Sequence, residues 1–395
     1  MNTCRLCQRD TVAVLLDFGK QPLCNRFLRD RNEMEYTHPL AVGQCQSCGV
    51  IQLLDPPPAD ELRPRFDWIT YREPEPHLDR VADMIAALPG ITERSTICGV
   101  SYKDDTTLRR LESRGLKKTW RVDMKTDLGI DDPCAGGETI QAVLAPAIRG
   151  IASAHGQADV VIARHILEHA HDIASFLEAL KGLLKPGGYL VVESPDCQRA
   201  LEQCDYSTVW EEHVFYFTPR TFRDCFASRG FSLAAFESFP YALENSLVAI
   251  ARIDERVKVP HAPATEMAIG QTFRDSFAAK REGLGRFLRE HRQSRGKIAF
   301  LGAGHLSCVF INLFGLKDCI EFVVDDNPHK QGLLMPGSCL PIYGSSALLE
   351  KDIKLCLLCL SPESEDKVIQ NNQRFVEQGG KFASIFAGSQ YALKV

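Results

Sequence analysis

Nowhere does this chain reach the roughly 18 uninterrupted apolar residues that a membrane-crossing helix needs. Nor is any basic run dense enough to reverse a net charge of −5 at pH 7. The first shortage argues against a membrane-embedded protein. The second argues against nonspecific nucleic-acid binding, which depends on clustered lysine and arginine. No basic-then-apolar leader is expected either, because Met1-Asn2-Thr3-Cys4 runs straight into a cysteine knuckle. Neither of two candidate nucleotide loops has its full set of glycines, and no short-period repeat is visible. What remains is a normal globular balance over 395 residues, 45% apolar and 25% charged, which is enough for two or three domains. Fifteen cysteines without a leader point to a reducing compartment, and the expected location is cytoplasmic.

Four of those cysteines form a pattern. Cys4-Arg5-Leu6-Cys7 and Cys45-Gln46-Ser47-Cys48 are two knuckles with two residues between the thiols. Each turn aims both sulfurs at one ion, and two turns complete the tetrahedron that Zn²⁺ prefers. Four thiolates leave no open position for water, so the expected ion is structural. The other cysteines, such as Cys98, Cys225 and Cys319, lie in apolar runs and read as small buried hydrophobes.

The chain reads as an α/β protein in four consecutive parts. Residues 1–62 form a small zinc-binding module, with a strand at 16–22 and a close at Asp55-Pro56-Pro57-Pro58. Residues 63–255 alternate apolar runs with amphipathic stretches, the pattern of a parallel sheet. Strands are expected at 95–100, 118–122, 158–163, 189–193 and 246–253, and a helix over 173–184. Pro186-Gly187-Gly188 is expected to turn the chain before the fourth strand. Residues 256–296 read as a helical connector. Residues 297–395 form a second Rossmann-like domain, in which strand, Gly302-Ala303-Gly304 turn, helix and Val323-Val324-Asp325-Asp326 follow in order.

Three places carry candidate chemistry. In Trp210-Glu211-Glu212-His213-Val214-Phe215-Tyr216-Phe217, a histidine beside carboxylates suits a general base near neutral pH, or else a polar loop rimmed by core aromatics. Ala163-Arg164-His165-Ile166-Leu167-Glu168-His169 leaves the carboxyl end of a strand, where α/β proteins bind ligands. His165 and His169 are four apart, but a metal site there needs a third ligand that the sequence does not indicate. The turn after residues 95–100 keeps only Gly99 of a cofactor loop, and Asp123 at the end of the next strand is placed for ribose hydroxyls. Gly302-Ala303-Gly304 reads equally as a second nucleotide site or as a tight structural turn, with Ser307 where a third glycine is usual.

These pieces in this order resemble the sugar C-methyltransferases that act on nucleotide-linked 4-keto-deoxysugars. The resemblance rests on Cys4, Cys7, Cys45 and Cys48; on Leu16-Asp17-Phe18-Gly19-Lys20-Gln21-Pro22 with Asn25; on Glu212-His213 with Tyr216-Phe217; and on Val324-Asp325-Asp326-Asn327-Pro328 with Lys330-Gln331-Gly332. It implies a zinc module, a central S-adenosylmethionine-dependent methyltransferase sheet and a C-terminal Rossmann-like domain. It further implies that His213 removes the proton beside a ketone, that Glu212 orients it, and that His165 lines the site and is the next candidate base. By the same resemblance, Gly99, Ser101, Asp105, Asp123 and Arg164 would meet S-adenosylmethionine. Tyr71, Trp210, Tyr216, Asn245, Gly302, His305, Asp326 and Lys330 would meet a nucleotide-linked sugar. The chain departs from the family at Lys103-Asp104-Asp105-Thr106, which replaces an Asn-Asp-Gly core, and at Trp210, which replaces a tyrosine. The alternative reading is a relative that has lost methyl transfer and does proton-transfer chemistry on a keto-sugar, as an epimerase or lyase, or only binds one. The sequence leaves monomer and dimer both open.

Overall fold

The computed structural model describes residues 2–69, 73–132, 134–254, 256, 258 and 261–394. The expected substrate residue Tyr71 lies outside them. The strands are β1 (Val12–Pro22), β2 (Thr37–Cys45), β3 (Ile51–Leu53), β4 (Thr96–Gly99), β5 (Lys118–Arg121), β6 (Ala158–Arg164), β7 (Leu184–Asp196), β8 (Phe215–Tyr216), β9 (Phe231–Phe239), β10 (Asn245–Ile253), β11 (Lys297–Leu301), β12 (Val323–Val324), β13 (Ile342–Tyr343), β14 (Ile353–Leu358) and β15 (Lys381–Ser384). Two compact units result. One comprises residues 1–14, 42–198 and 212–267, and the other residues 15–41, 199–211 and 268–395.

The first unit is built on a six-stranded sheet of order β5-β4-β6-β7-β10-β9. The strands from β5 to β7 pair in parallel, and β10 runs antiparallel to both neighbours. Val160, Val161, Ile162 and Ala163 are all fully buried, as expected of a strand covered on both faces. Asp172 caps the helix Ile173–Leu183 by accepting from the Ala174 and Ser175 amides, and the helix buries Phe176, Leu177, Leu180 and Leu183. The turn expected at Pro186-Gly187-Gly188 is instead an excursion within β7. Ala158 pairs with Leu184 and Val160 with Tyr189, so the ladder resumes on the far side of the bulge. Gly187 has φ +80°, and a Cβ on Gly188 would meet the Asp159 and Lys185 carbonyls at 3.0 Å. The edge strand β9 has no counterpart among the expected strands, because its alternation is irregular and only Phe231 is buried.

The zinc knuckles share the core of this unit. Cys4, Cys45, Cys48, Leu6 and Val50 pack in one cluster with β6, β7 and Phe215. Val42–Gln44 of β2 pairs with β3, and β3 pairs with β8 through Ile51 with Tyr216 and Gln52 with Phe215. The Leu53 amide then donates to the Val214 carbonyl at 2.9 Å. A continuous ladder therefore leads from Cys45 to the residue beside His213. Phe217 and Phe215 face this core and stack at 5.4 Å.

The second unit holds a five-stranded parallel sheet of order β13-β12-β11-β14-β15. The expected connector contributes the helix Ala264–Ser294, whose Phe273, Leu284 and Leu288 are buried.

Candidate active site

The carboxyl ends of β4, β6 and β7 converge on a buried ionic network in the first unit. Glu193 on β7 is 1% exposed. Its carboxylate accepts from Arg164 Nε at 2.5 Å and His165 Nε2 at 3.0 Å, with His77 Nε2 also 3.0 Å away. Burial opposes its charge, but His165 and Arg164 hold it well below the usual carboxylate range. His165 ends the strand with φ +50°, in the left-handed region. Nδ1 lies 3.5 Å from Glu168 and 3.8 Å from Glu73. Burial would favour neutral imidazole; Glu73 and Glu193 override it and raise the pKa to about 10. His165 is thus an imidazolium at neutral pH, with both N–H groups committed. A protonated ring has no lone pair free to accept a proton.

This network makes a stability prediction. Glu193→Ala would remove the carboxylate that pairs with both buried Arg164 and buried His165, and should cost about 3–5 kcal/mol in urea unfolding. A loss below about 1 kcal/mol would show that the network adds nothing to stability. The His165 contribution has the sign of a raised base. It is fully present below its ordinary value of 6.5 and is lost as pH rises toward about 10.

Beside the network, three ligating groups meet. One atom each from Glu168, His169 and His213 lies within 4.8 Å of the others. His169 Nδ1 donates to the Glu212 backbone carbonyl at 2.9 Å, so in the neutral ring Nε2 is the acceptor. The His169 and His213 rings meet edge to face, 4.9 Å apart at 83°. Val214 N donates to the Glu168 carbonyl at 2.7 Å, which ties the 212–214 segment to the short helix Leu167–His169. Burial lowers the pKa of His213 to about 4 and that of His169 to about 3. Glu168 is opposed by burial too, yet the hydrogen bond from His165 brings it to about 2. The cluster thus offers two neutral imidazoles beside a carboxylate whose charge His165 already meets, an arrangement for moving protons. His169 and Glu168 were not assigned from sequence. The only signal was their place after β6, and the partner that gives them meaning is 44 residues further on. Glu212, expected to orient His213, meets His169 through its backbone carbonyl.

The expected cofactor residues gather at the ends of β4, β5 and β6. Gly99 is needed for an internal reason: a Cβ there would meet Asp104 Cβ at 2.9 Å. Asp104 folds under the loop and accepts from the amides of Val100 and Ser101, each at 2.8 Å, and of Arg164 at 3.0 Å. Burial lifts its pKa to about 7 against those donors. Lys103 turns to Glu73 at 2.8 Å. Ser101 caps the turn that follows, and Arg164 Nη1 donates to the Lys103 carbonyl at 2.5 Å. Asp105 pairs with Arg121 at 3.0 Å. Asp123 is exposed, and the Thr126 amide and hydroxyl hold its carboxyl below the usual range. Its Oδ1 takes three bonds from Lys125 and Thr126. An ionised, exposed carboxylate after the second strand, and a loop whose lysine points aside, fit S-adenosylmethionine.

The zinc ligands fit their ion closely. Cys4 and Cys48 sulfurs are 3.7 Å apart, and Cys7 and Cys45 sulfurs 3.6 Å. A tetrahedron with Zn–S bonds of about 2.3 Å has edges of about 3.8 Å. Thr11 Oγ1 lies 3.3 Å from Cys45 Sγ, and the Cys7 and Ser47 amides point at Cys4 and Cys45 sulfurs.

In the second unit the expected substrate residues serve the fold first. Asp325 Oδ2 accepts from the Ala303 amide and from Lys330 Nζ, both at 2.9 Å, and Lys330 also donates to the Ala303 carbonyl. A Cβ on Gly302 would meet the Cys359 carbonyl at 2.7 Å, so glycine is required by strand proximity. Asp326 Oδ1 accepts from Ser345 N. Trp210 stacks on His305 at 4.4 Å and 18°, while Glu211 accepts from the Cys24 amide at 2.5 Å. Tyr216 is buried in β8 of the first unit, and Asn245 there donates to Asp196 at 3.2 Å.

Comparison with known proteins gives three consecutive family matches. Residues 4–62 match a family described as "Putative zinc binding domain", residues 77–235 a "Methyltransferase domain", and residues 251–386 a "C-methyltransferase C-terminal domain". The C-methyltransferase NovU of Streptomyces niveus is 26% identical over 400 aligned positions, covering 97% of this chain and 94% of that protein. Solved structures with local likeness include the Burkholderia thailandensis 1,6-didemethyltoxoflavin-N1-methyltransferase. It shows 13% identity and a TM-score of 0.31, with 46% of this chain and 79% of that one covered. An Aquifex aeolicus SAM-dependent methyltransferase shows 14% identity and a TM-score of 0.28, with 45% and 93% covered. With its zinc-binding, methyltransferase and C-methyltransferase C-terminal domains in this order, the chain is an S-adenosylmethionine-dependent C-methyltransferase with a four-cysteine zinc site.

Proposed function

We propose that this C-methyltransferase acts on a nucleotide-linked keto-deoxysugar and that His213 is the base that generates the nucleophilic carbon. The observation that carries the reading is the neutral His213 imidazole next to Glu168 and His169, at the carboxyl end of the sheet. A C–H beside a ketone is a weak acid, and its removal at neutral pH needs a positioned acceptor that is not already protonated. His213 meets that need. Glu168 can stabilise the imidazolium that forms, and the His169 acceptor nitrogen can share its proton. S-adenosylmethionine supplies an electrophilic methyl group. Gly99, Ser101 and Asp105 would shape its loop, with Arg164 bracing that loop from beneath and Asp123 accepting from ribose hydroxyls. Trp210, His305, Gly302, Asp326 and Lys330 are the residues proposed for the nucleotide-sugar, with Tyr216 and Asn245.

The test is methyl transfer from labelled S-adenosylmethionine to nucleotide-linked 4-keto-6-deoxysugars, followed by mass and NMR analysis of the product. A new carbon-bound methyl group beside the ketone is expected. Transfer to oxygen or nitrogen alone, or to none of these sugars, would remove the substrate assignment. Asp123→Ala is expected to weaken S-adenosylmethionine binding about tenfold in calorimetry, the size of a lost charged hydrogen bond. Unchanged affinity would place the ribose elsewhere.

A further inference from the structure

Three ligating side chains meet around the proposed base in a form that suits a metal ion as well as a proton. Glu168 and His169 sit side by side in the short helix Leu167–His169, and His213 reaches them from the segment before β8. One ligating atom of each lies within 4.8 Å of the other two. In the sequence His165 and His169 stand four apart without a third ligand. The fold instead commits His165 to Glu193 at 3.0 Å and brings Glu168 and His213 to His169. The backbone holds these pieces in place. Val214 N donates to the Glu168 carbonyl at 2.7 Å, and the Val214 carbonyl accepts from Leu53 N at 2.9 Å.

The outer partners are those of a metal site. Ser194 Oγ on β7 donates to Glu168 Oε2 at 3.2 Å and so orients the carboxylate. Oε1 is buried with no hydrogen bond of ordinary length among the described residues, and His165 Nδ1 stands off at 3.5 Å. A buried carboxylate oxygen in that condition calls for an ion or a water. His169 Nδ1 donates to the Glu212 carbonyl at 2.9 Å, so Nε2 carries the ring's lone pair. Metal-ligating histidines are oriented in this way, with the other ring N–H on a backbone carbonyl. Glu168 and His169 are sealed from solvent, whereas His213 is half-buried and provides the entry path.

We propose that Glu168, His169 and His213 form a second metal site, for a divalent transition ion of the Zn²⁺ type, and that the bound ion switches the base off. Two imidazole nitrogens and one carboxylate oxygen suit Zn²⁺ and Co²⁺, whereas Mg²⁺ and Ca²⁺ prefer oxygen ligands throughout. A tetrahedral ion with bonds of about 2.1 Å sets its ligand atoms about 3.4 Å apart, and a small rotation of the half-buried His213 ring closes the trio to that spacing. Coordination commits the ring lone pair of His213 to the metal. That lone pair is the one that takes the C–H proton, so a loaded site cannot generate the nucleophilic carbon. The binding half of the proposal stands by itself, and the inhibitory half rests on the base assignment above. Three protein ligands also leave a position open to water, unlike the knuckle, whose four thiolates close the sphere. The ion at this second site is therefore expected to exchange.

The direct probe is Co²⁺ added to the zinc-loaded enzyme. Visible d–d bands should grow to one further equivalent, without the ultraviolet thiolate band that displacement at the knuckle would give. Glu168→Gln, His169→Gln and His213→Asn should each remove those bands, and Ser194→Ala should weaken Co²⁺ binding about 10–100-fold, the usual cost of a lost outer-shell partner. Thermal melting checks the fold, and if Glu168→Gln melts early, the histidine variants and Ser194→Ala carry the comparison. Zn²⁺ should slow hydrogen–deuterium exchange at the acidic carbon of a nucleotide-linked 4-keto-6-deoxysugar by about 10²-fold, as removal of a general base does. A chelator too weak to strip the knuckle should restore the rate, and Mg²⁺ should leave it unchanged. No further Co²⁺ bands, or bands that persist in the histidine variants, overturn the site. Bands with an undiminished exchange rate overturn the switch. If the metal-free enzyme exchanges none of these sugars, the substrate reading falls, while the Co²⁺ titration still decides whether the site exists.

Discussion

His213→Asn is expected to slow turnover by about 10²–10⁴ while leaving substrate and S-adenosylmethionine affinity nearly unchanged, the effect of removing a general base rather than a binding group. Asparagine keeps a polar side chain of similar reach but has no nitrogen lone pair able to accept a proton near neutrality. Because burial holds His213 near pKa 4, the acid side of the wild-type profile should stay flat down to about pH 5 and then fall as the ring protonates. An unperturbed histidine would put that limb near 6.5. His169→Gln should lower the rate less and shift the acid limb, since His169 acts through the His213 ring that it meets at 4.9 Å. Solvent exchange at the substrate carbon measures the same step without methyl transfer. Full activity in the His213→Asn variant would make the Glu168–His169–His213 cluster structural.

The second large effect concerns the metal. Cys45→Ser should abolish stoichiometric zinc, because the remaining three thiolates lose the tetrahedral closure implied by sulfur separations of 3.6 and 3.7 Å. Structural zinc in small modules contributes apparent binding free energies of about 10–16 kcal/mol, and that energy is also folding energy. Here Cys45 ends β2, β2 pairs with β3, and β3 pairs with β8, two residues beyond His213. Losing the ion should therefore lower the melting temperature and reduce methyl transfer together. The ion itself has no open position for chemistry. Elemental analysis, melting curves and rates on the same preparations check this. A zinc-free variant with wild-type melting and activity would sever the link from knuckle to base.

The zinc ligands were legible in the sequence because their information is local. Two residues between thiols set the bite of each knuckle, and only the pairing of the knuckles needed the fold. The parallel sheet was equally legible, since runs such as Val160-Val161-Ile162-Ala163 leave no polar face for water. Local spacing also misled. Pro186-Gly187-Gly188 reads as a break, yet the β6 ladder continues past it and turns the same residues into a bulge. A glycine such as Gly99 reads as room for a cofactor, whereas Asp104 takes that room from below.

The charges at the strand ends belong to tertiary structure alone. Sequence offers His165, His169 and His213 as similar residues, but burial and neighbours separate them. Glu193 and Glu73 fix a proton on His165, while desolvation strips the proton from His169 and His213. Against the same desolvation, the hydrogen bond from His165 keeps Glu168 an anion. Residue type and spacing determined which elements form and which metal they hold. Which histidine can take a proton was decided by groups brought within a few ångströms from distant parts of the chain, because electrostatic work depends on distance and solvent access, and neither is encoded locally.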